Sequence, residues 1–303
     1  MPELPDIVNY IEAARELTVG SPLTHITVHH PFLLRTVSPS PQECAGRIVT
    51  GIRRVGKQIV FELEGELFVA IHLMIAGRLV WAARAGSRKG TLAELAFSRG
   101  TMRLTEAGTK RRAALRILAG AEALTALDRG GVEPLECSTD EFAAALRREN
   151  RTLKRALTDP RLVSGIGNAY SDEILHAARL SPFLRTGALQ DETMAHLHSA
   201  VRETLVTWTD RLRAERAGGF PTRVTAFHPA MGVHGRHGKP CPACGTAVQR
   251  IRYAENEANY CPRCQTDGRV YADRALSRLL KDDWPGTIEE LERSVERPPL
   301  PPP

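Results

Sequence analysis

The sequence contains no long hydrophobic run. No stretch approaches the roughly 20 continuous apolar residues that a helix needs to cross a bilayer, and the N-terminus lacks the basic-then-apolar pattern of a signal peptide. Internal repeats are absent as well. We therefore expect a globular protein that stays in the cytoplasm and has no membrane partner. The hydrophobic content of 42% is enough to fill ordinary domain cores.

Cysteine is scarce, with six in 303 residues, and four of the six form two close pairs late in the chain. This arrangement argues against the disulfide framework of a small secreted domain. Cys241-Pro-Ala-Cys244 and Cys261-Pro-Arg-Cys264, with sixteen residues between them, have the spacing of a structural zinc site with four thiolate ligands. Four free thiols are the alternative. The isolated Cys44 and Cys137 are interpreted as packing residues.

One zinc ion per chain would allow a finger to fold that is too small to fold without metal. Because four sulfur ligands leave no open coordination position, the ion would organise a binding element and take no part in a reaction. The flanking basic residues suit a finger that lies against phosphate; they are Arg236, His237, Lys239, Arg250 and Arg252.

Acidic residues are outnumbered by basic ones. The sequence has 41 Lys and Arg against 35 Asp and Glu, which gives a formal net charge of +6 and a pI of about 9.2. Such a surplus favours a polyanionic partner only where it is clustered. Composition therefore indicates nucleic acid without deciding the matter.

The hydrophobic periodicity changes along the chain. Pro2–Gly20 has the spacing of one helix. Short β-branched segments then predict a β-sandwich or barrel, and they are Ile48–Val55, Gln58–Leu63, Leu67–Ile75 and Arg112–Ile117. Beyond about Ser138 the spacing is helical in four segments, which are Glu141–Arg148, Thr152–Leu157, Ser171–Ala178 and Asp191–Arg213. Arg274–Trp284 is interpreted as a helix on the body or an interaction segment, and the tail Arg297–Pro303 as disordered.

A short segment between two of these predicted helices reads Gly165-Ile-Gly167-Asn168. Glycine allows positive φ angles and the close approach of another molecule, and a helix that begins just afterwards points its free amides outward. A phosphate group would fit there. An ordinary connection between helices explains the same residues equally well, because a lone Gly-x-Gly is a weak motif.

The N-terminal run Met1-Pro2-Glu3-Leu4-Pro5-Asp6 offers a different chemistry. Removal of Met1 would expose a secondary amine with a pKa near the value of about 8 for an α-amino group, well below the value of about 10.4 for lysine. Such an amine can attack C1′ of a sugar and form an iminium ion. Taken alone, the run is more simply explained as a helix start, where proline and acidic residues are favoured.

Together, these elements resemble the formamidopyrimidine-DNA glycosylase and endonuclease VIII family. They follow the family's order and spacing over about residues 1–265, and they are Pro2–Asp6, Gly56-Lys57, Asp159–Pro182 and the cysteine finger. The resemblance implies a base excision repair enzyme that removes a damaged base through a Schiff base on the N-terminal proline. It also implies abasic-site lyase activity, with strand nicking by β/δ-elimination.

The resemblance also implies the fold, which is an α+β multidomain protein clamped around damaged DNA. An N-terminal β-sandwich with an N-terminal helix would occupy residues 1–120 and a helical helix-two-turns-helix domain residues 121–232. A C-terminal zinc finger would follow at 233–266, and an extension at 267–303 exceeds the family's usual length. We expect a monomer that associates with the nucleoid through DNA binding.

Residue roles follow from the same resemblance, position by position. Pro2 would be the nucleophile, and Glu3 the proton donor and acceptor beside the deoxyribose. Lys57, on a turn between predicted strands, would hold a phosphate near the lesion, and its alternative is a routine solubilising lysine. Further phosphate contacts would come from Lys154, Asn168 and the amide of Gly167.

The chain departs from the family in the parts that choose a substrate. Ile75 stands where the wedge that replaces the flipped base has methionine, and the second wedge loop, Glu106–Ala113, offers Arg111 or Arg112 and no phenylalanine. Asn256 replaces an arginine at the finger tip, which predicts a weaker phosphate contact there. The span Gly218–Gly235 is short for a lesion-capping loop, which argues against 8-oxoguanine as substrate.

Two other functions remain open at this point. A non-catalytic protein that binds DNA damage would retain the clamp and the finger without the lesion chemistry. A zinc-ribbon scaffold for protein partners would use the tail from Thr266 instead. The damaged base itself cannot be read from this sequence, because base pockets discriminate by a few contacts in the regions that depart from the family.

Overall fold

The computed structural model describes residues 1–83, 90–107, 110–222, 228–253, 256–272 and 284–296. The chain forms two compact units, of which the first is Met1–Glu133 with Leu205–Thr225, and the second is Pro134–Thr204 with Ala226–Pro303. The expected fold class, an α+β protein with a helix, a β-sandwich, a helical domain and a finger, is confirmed. The domain boundaries at residues 120, 232 and 266 stay a prediction. Among the described residues, no helix has the length and apolarity that a membrane span requires.

Eight antiparallel strands form the body of the first unit. They are β1 (Pro22–Val28), β2 (Arg47–Val55), β3 (Gln58–Leu63), β4 (Leu67–His72), β5 (Gly77–Ala82), β6 (Thr91–Phe97), β7 (Gly100–Glu106) and β8 (Ala114–Ala119). Their order is β5-β7-β6-β1-β2-β3-β4-β8. Strands β1 and β2 are joined by only two residue pairs, which are Pro22 with Ile48 and Leu23 with Arg47. One hydrophobic core contains side chains from all eight strands. The result is the predicted sandwich, with a four-stranded half on each side of this short pairing.

Three predicted strands have different ends in the structure, and the smallest difference is at β2, which begins at Arg47 and not at Ile48. The fourth strand ends at His72 and not at Ile75, because Met74 turns the chain with a φ of 52°. The last strand begins at Ala114 and not at Arg112. The amides of Arg112 and Ala113 donate to the buried Glu106 carboxylate instead, each at 3.0 Å. These turn contacts compete with strand pairing and are not visible in a hydrophobic pattern.

The predicted N-terminal helix is confirmed as α1 (Leu4–Thr18). Its apolar positions Ile7, Ile11 and Ala14 recur at helical spacing and are buried in the sandwich core, and the helix packs on β2 and β3. Cys44 lies in the same core with no exposed surface, as expected for a packing residue. Because α1 begins at Leu4, residues 2 and 3 lie immediately before its first turn.

The remaining helices begin with α2 (Ala121–Thr125) in the first unit. Those of the helical region are α3 (Thr139–Arg147), α4 (Leu153–Thr158), α5 (Asn168–Ala177) and α6 (Asp191–Arg216). They confirm all four helical segments predicted from spacing. A capping box starts α3: Ser138 accepts from the Glu141 amide at 3.2 Å, and the Glu141 carboxylate accepts from the Ser138 amide at 2.8 Å. Residues of α6 from Leu205 onward belong to the first unit.

The finger and the extension complete the second unit. Strands β9 (Gln249–Tyr253) and β10 (Asn256–Tyr260) form a hairpin, followed by α7 (Pro262–Gln265) and α8 (Ile288–Glu296). Within the described ranges, three single turns of 3-10 helix lie elsewhere, at Pro31–Leu33, Pro41–Cys44 and Thr186–Ala188. Of the helix expected at Arg274–Trp284, all but Trp284 lies outside the described residues, and so does the tail from 297. The indole nitrogen of Trp284 donates to the Val270 carbonyl at 3.1 Å.

Candidate active site and nucleic-acid contacts

Pro2 and Glu3 are both buried at the start of α1. The amide of Glu3 donates to Asp6 Oδ2 at 2.9 Å, and the Ile7 amide closes the first helical turn on the Glu3 carbonyl at 2.9 Å. Asp6 is itself 3% exposed, so its carboxylate fixes the backbone at residue 3 from within the protein. The helix start and the predicted reaction site therefore use the same residues, and the two interpretations of this segment do not compete.

The α-amino group lies among charges of both signs. Burial lowers the pKa of the Met1 amine below its usual value of 8.0, and the nearby cations Arg78 and Lys57 act in the same direction. The carboxylates of Glu3 and Asp6 oppose them by raising this pKa. The net effect is a larger neutral fraction of the amine at pH 7, which is the form that can attack an electrophile.

Lys57 lies at the tip of the turn between β2 and β3. Gly56 has a φ of 59°, a left-handed conformation that favours glycine, and it allows the two-residue connection between the paired Val55 and Gln58. The position is half-buried, and the cation acts on both the Met1 amine and His72. A routine solubilising lysine would have neither effect. Its role as a phosphate contact stays a prediction.

His72 and Arg78 are two residues whose contribution the sequence did not reveal. Burial lowers the pKa of His72 to about 4, with help from Lys57 and Arg116. Its Nδ1 accepts from the Met74 amide at 3.1 Å, so the neutral ring carries its proton on Nε2. Arg78 donates to the Gly77 carbonyl at 2.6 Å. The signal for both residues in the sequence is the pair of basic side chains that flank the turn around Ile75.

The turn after β4 presents Ile75 to solvent, with 53% of its surface exposed. The Gly77 amide closes the turn on the Leu73 carbonyl at 2.9 Å, and a Cβ on Gly77 would collide with that carbonyl oxygen. In the second loop expected to contribute a wedge, Arg111 is exposed and Arg112 is half-buried. Residues 108 and 109 of that loop lie outside the described residues, as do 223–227 of the span Gly218–Gly235.

In the second unit, the Gly-x-Gly segment leads directly into α5. Gly165 has a φ of 80°, as its glycine allows, whereas Gly167 is extended with a φ of −132° and precedes the first helical residue, Asn168. Of the two glycines, only Gly165 uses the positive φ that glycine allows. The half-buried Asn168 begins α5, where amides at a helix N-terminus are available to an anion.

Lys154 is 7% exposed and makes its contacts inside the protein. Its ammonium group donates to the Asn168 carbonyl at 2.6 Å and to Asp172 Oδ1 at 2.5 Å. It thus holds the start of α5, and direct contact between Lys154 and a phosphate stays a prediction. Asp172, which is 1% exposed, also accepts from His234 Nδ1 at 2.7 Å and from Asn259 Nδ2 at 3.0 Å.

Glu173, which follows Asp172 on α5, holds the segment that leads into the finger. The Glu173 carboxylate accepts the amides of Gly232, Val233 and His234 at 2.7, 2.9 and 2.9 Å. A carboxylate that accepts several amides is well satisfied even when it is buried. Helix α5 is therefore joined to the finger through Asp172 and Glu173, a role that spacing along the sequence does not reveal.

The four cysteines of the predicted zinc site come together in the second unit. Their sulfur atoms all lie within 4.8 Å of one another, with Cys244 and Cys261 at 3.4 Å and Cys241 and Cys264 at 4.0 Å. Such a cluster fits the four-sulfur tetrahedral coordination of a structural zinc ion, with zinc–sulfur distances of about 2.3 Å. The expectation of one structural zinc per chain is confirmed in ligand set and placement.

At the finger tip, Asn256 is exposed and begins β10. Residues 254 and 255 of the same tip lie outside the described residues. Nearby in the hairpin, Arg250 on β9 faces Glu257 at 3.7 Å, so part of the finger's positive charge is neutralised there. A contact between Asn256 and phosphate stays a prediction.

Three family models match the chain. The formamidopyrimidine-DNA glycosylase N-terminal domain matches residues 1–115, the formamidopyrimidine-DNA glycosylase H2TH domain matches 131–210, and the zinc finger found in FPG and IleRS matches 238–266. The matches cover α1 and strands β1 to β7 with the start of β8, helices α3 to α5 with most of α6, and the cysteine cluster described above.

Whole-length relatives share the same arrangement. The formamidopyrimidine-DNA glycosylase of Moorella thermoacetica is 32% identical over 266 residues, which cover 83% of this chain and 95% of that protein. The crystal structure of the MutM (Fpg) protein of Thermus thermophilus is 31% identical, with a TM-score of 0.75 over 87% of this chain and 98% of that one. The Lactococcus lactis formamidopyrimidine-DNA glycosylase bound non-covalently to DNA with an AP site is 26% identical, with a TM-score of 0.75 over 87% and 99%.

Proposed function

Because the chain belongs to the formamidopyrimidine-DNA glycosylase family, we propose that it is a base excision repair enzyme that removes a damaged base and then cleaves the abasic strand. The observation that carries the proposal is the buried N-terminus, where burial and the cations Arg78 and Lys57 lower the pKa of the terminal amine. After removal of Met1, the secondary amine of Pro2 becomes the terminal group beside Glu3.

In the first step, the amine of Pro2 attacks C1′ of the damaged nucleotide. The bond between C1′ and the base breaks, and the base leaves with the bonding electrons and with the proton that the amine loses as it bonds to C1′. The bond between C1′ and O4′ then opens to give an iminium ion, and Glu3 donates a proton to O4′. Attack requires the base to be out of the stack, which is how enzymes of this kind reach a base in a duplex.

The iminium ion next serves as an electron sink. The Glu3 carboxylate removes a proton from C2′, and the 3′ phosphate leaves as its bond to C3′ breaks. Loss of a second proton, from C4′, expels the 5′ phosphate in the same way, and water hydrolyses the iminium ion to free the amine. Lys57 would hold a phosphate near the lesion, and Asn168 with the amide of Gly167 would hold another.

The geometry supports this function above the two alternatives. A protein that only bound DNA damage would have no use for a buried terminal amine whose pKa is lowered by that burial. A scaffold for protein partners would have no use for a helix N-terminus that Lys154 and Asp172 hold in place. Damaged DNA is therefore the proposed partner, with the zinc finger as part of its binding surface.

Borohydride trapping on an abasic duplex tests the chemistry, because it reduces the iminium ion to a stable covalent bond. We expect a cross-link whose peptide maps to Pro2, in protein shown by mass spectrometry to lack Met1. Pro2→Gly and a form that retains Met1 should both trap weakly or not at all. Correctly processed protein that binds the duplex but forms no cross-link would refute the lyase mechanism and favour a binding protein.

The charges around the amine allow a second, independent test. Replacing Lys57 or Arg78 by Gln removes a cation that lowers the pKa of the amine, so the pH profile of trapping should move to higher pH. Arg53→Gln is the matched control, because Arg53 is an exposed residue on β2 that pairs with Glu62. Profiles that coincide in all variants would show that these cations do not activate the amine.

A further inference from the structure

His176 lies on α5 and faces the cysteine cluster, although it is not one of the four ligands. Its Nε2 is 3.2 Å from Cys241 Sγ, within hydrogen-bonding reach of a sulfur atom. Among the residues that the structure describes, the ligand atoms that cluster within 4.8 Å of one another are the four sulfurs, so His176 stands beside the metal site and not in it. We propose that His176 donates a hydrogen bond from Nε2 to the zinc-bound thiolate of Cys241 and thereby stabilises the metal centre.

The chemistry of the pair fixes the direction of this bond. A zinc-bound cysteine is a thiolate and has no proton to give, so only the histidine can be the donor. The bond therefore requires a hydrogen on Nε2. A hydrogen bond to a metal-bound sulfur withdraws charge from it, which tunes the metal–ligand bond as other outer-shell contacts do.

The surroundings of His176 hold the ring in place. The segment that leads into the finger, which contains Gly232, lies close to this ring. A Cβ on Gly232 would be 3.2 Å from His176 Nδ1 and 3.3 Å from Glu173 Oε2. The Gly232 amide is itself held by Glu173 at 2.7 Å. Because His176 is three residues after Glu173 on the same helix, one face of α5 holds both this segment and the ring.

Zinc release measures the consequence. We compare wild type with His176→Phe, which keeps an aromatic ring without the donor, and with His176→Gln, which keeps an N–H at a similar reach. His25→Phe is the control for an equal change at an exposed site of the first unit. Outer-shell losses cost about 10–100-fold in metal affinity, so H176F should lose zinc to a chelator roughly that much faster. H176Q and H25F should behave as wild type, and equal release rates in all four proteins would overturn the proposal.

Cobalt substitution reports on the sulfur directly. A hydrogen bond lowers the energy of the sulfur lone pair, so its removal should shift the sulfur-to-cobalt charge-transfer band of H176F to longer wavelength and leave that of H176Q in place. Because this readout is spectroscopic, it separates the loss of a hydrogen bond from a general loss of stability. An unchanged band in H176F would contradict the proposal.

A measurement on the unaltered protein does not depend on any variant folding. In the zinc-loaded full chain with nitrogen-15-labelled histidine, the chemical shift of His176 Nε2 distinguishes a protonated ring nitrogen from an unprotonated one. The proposal requires a protonated Nε2. An unprotonated Nε2 could not donate to a thiolate and would rule the proposal out, whatever the outcome of the trapping experiments.

Discussion

Replacing Asp172 tests how strongly its buried contacts stabilise the second unit. It has no exposed side-chain surface and accepts from Lys154 at 2.5 Å, and it also contacts His234 and Asn259 of the finger region. Asp172→Asn keeps the shape but removes the charge, so the Lys154 ammonium remains buried without its counter-ion. Breaking a buried ion pair from one side costs about 3–5 kcal/mol.

That cost converts into a measurable shift. One kcal/mol moves Tm by about 2–4 °C in a domain of this size class, so the D172N unfolding transition should fall by roughly 6–20 °C. The assay is thermal and denaturant unfolding of the zinc-loaded protein, followed by circular dichroism. Asp191→Asn is the control, because its ion pair with Arg147 is at the surface and surface pairs contribute at most about 1 kcal/mol.

A double-mutant cycle separates the pair from the other contacts of Asp172. With Lys154→Met as the second change, the D172N and K154M effects should fall short of additivity, because the double variant leaves neither charge unpaired. Coupling between contacting groups is about 0.5–3 kcal/mol, and we expect the upper part of that range here. Additive effects, or a D172N cost no greater than that of D191N, would refute the reasoning.

Three further predictions concern single residues. The pKa of His72 falls to about 4 in the folded protein, below its usual value of 6.5, so stability is fully present above about pH 6.5 and is lost as pH falls through 4. H72Q should therefore flatten the acid side of the stability profile, and an unchanged profile would contradict this. Gly77→Ala should cost about 1–3 kcal/mol in denaturant unfolding through its collision with the Leu73 carbonyl, whereas Gly286→Ala, with ordinary contacts, should cost less. Cys261→Ser should lower the zinc content, measured by atomic absorption, below one ion per chain; full retention would argue against the four-sulfur site.

Sequence periodicity predicted the elements better than it predicted their ends. Gln58–Leu63 is a strand with the predicted bounds, because its residues pair on both sides and five of the six are buried. The strand predicted to reach Ile75 stops at His72, where a positive φ at Met74 starts a turn. Residues with left-handed φ other than glycine carry no reliable signal in a sequence, and this one directly precedes Ile75, the predicted wedge residue.

The site was predicted unevenly, for a physical reason. Cysteine spacing is local and has few structural uses, so it located the metal ligands directly. Pro2 and Glu3 depended on resemblance, because a helix start uses the same residue types. The pKa effects of Arg78 and Lys57 on the amine arise from through-space proximity, which spacing along the chain does not reveal.

Helix α5 shows most clearly why a weak motif can have a definite structure. Its Gly-x-Gly start fits a phosphate site or an ordinary connection equally well from the local sequence. The contacts that hold the helix come from far along the chain: Lys154 holds its first carbonyl, His234 and Asn259 hold Asp172, and the cysteine cluster faces His176. Loss of zinc should therefore loosen the start of α5 as well as the finger, because Asn259 immediately precedes Tyr260 and Cys261. Hydrogen exchange of residues 166–171 with and without zinc would measure this. Equal protection in both states would show that the start of α5 does not depend on the zinc site.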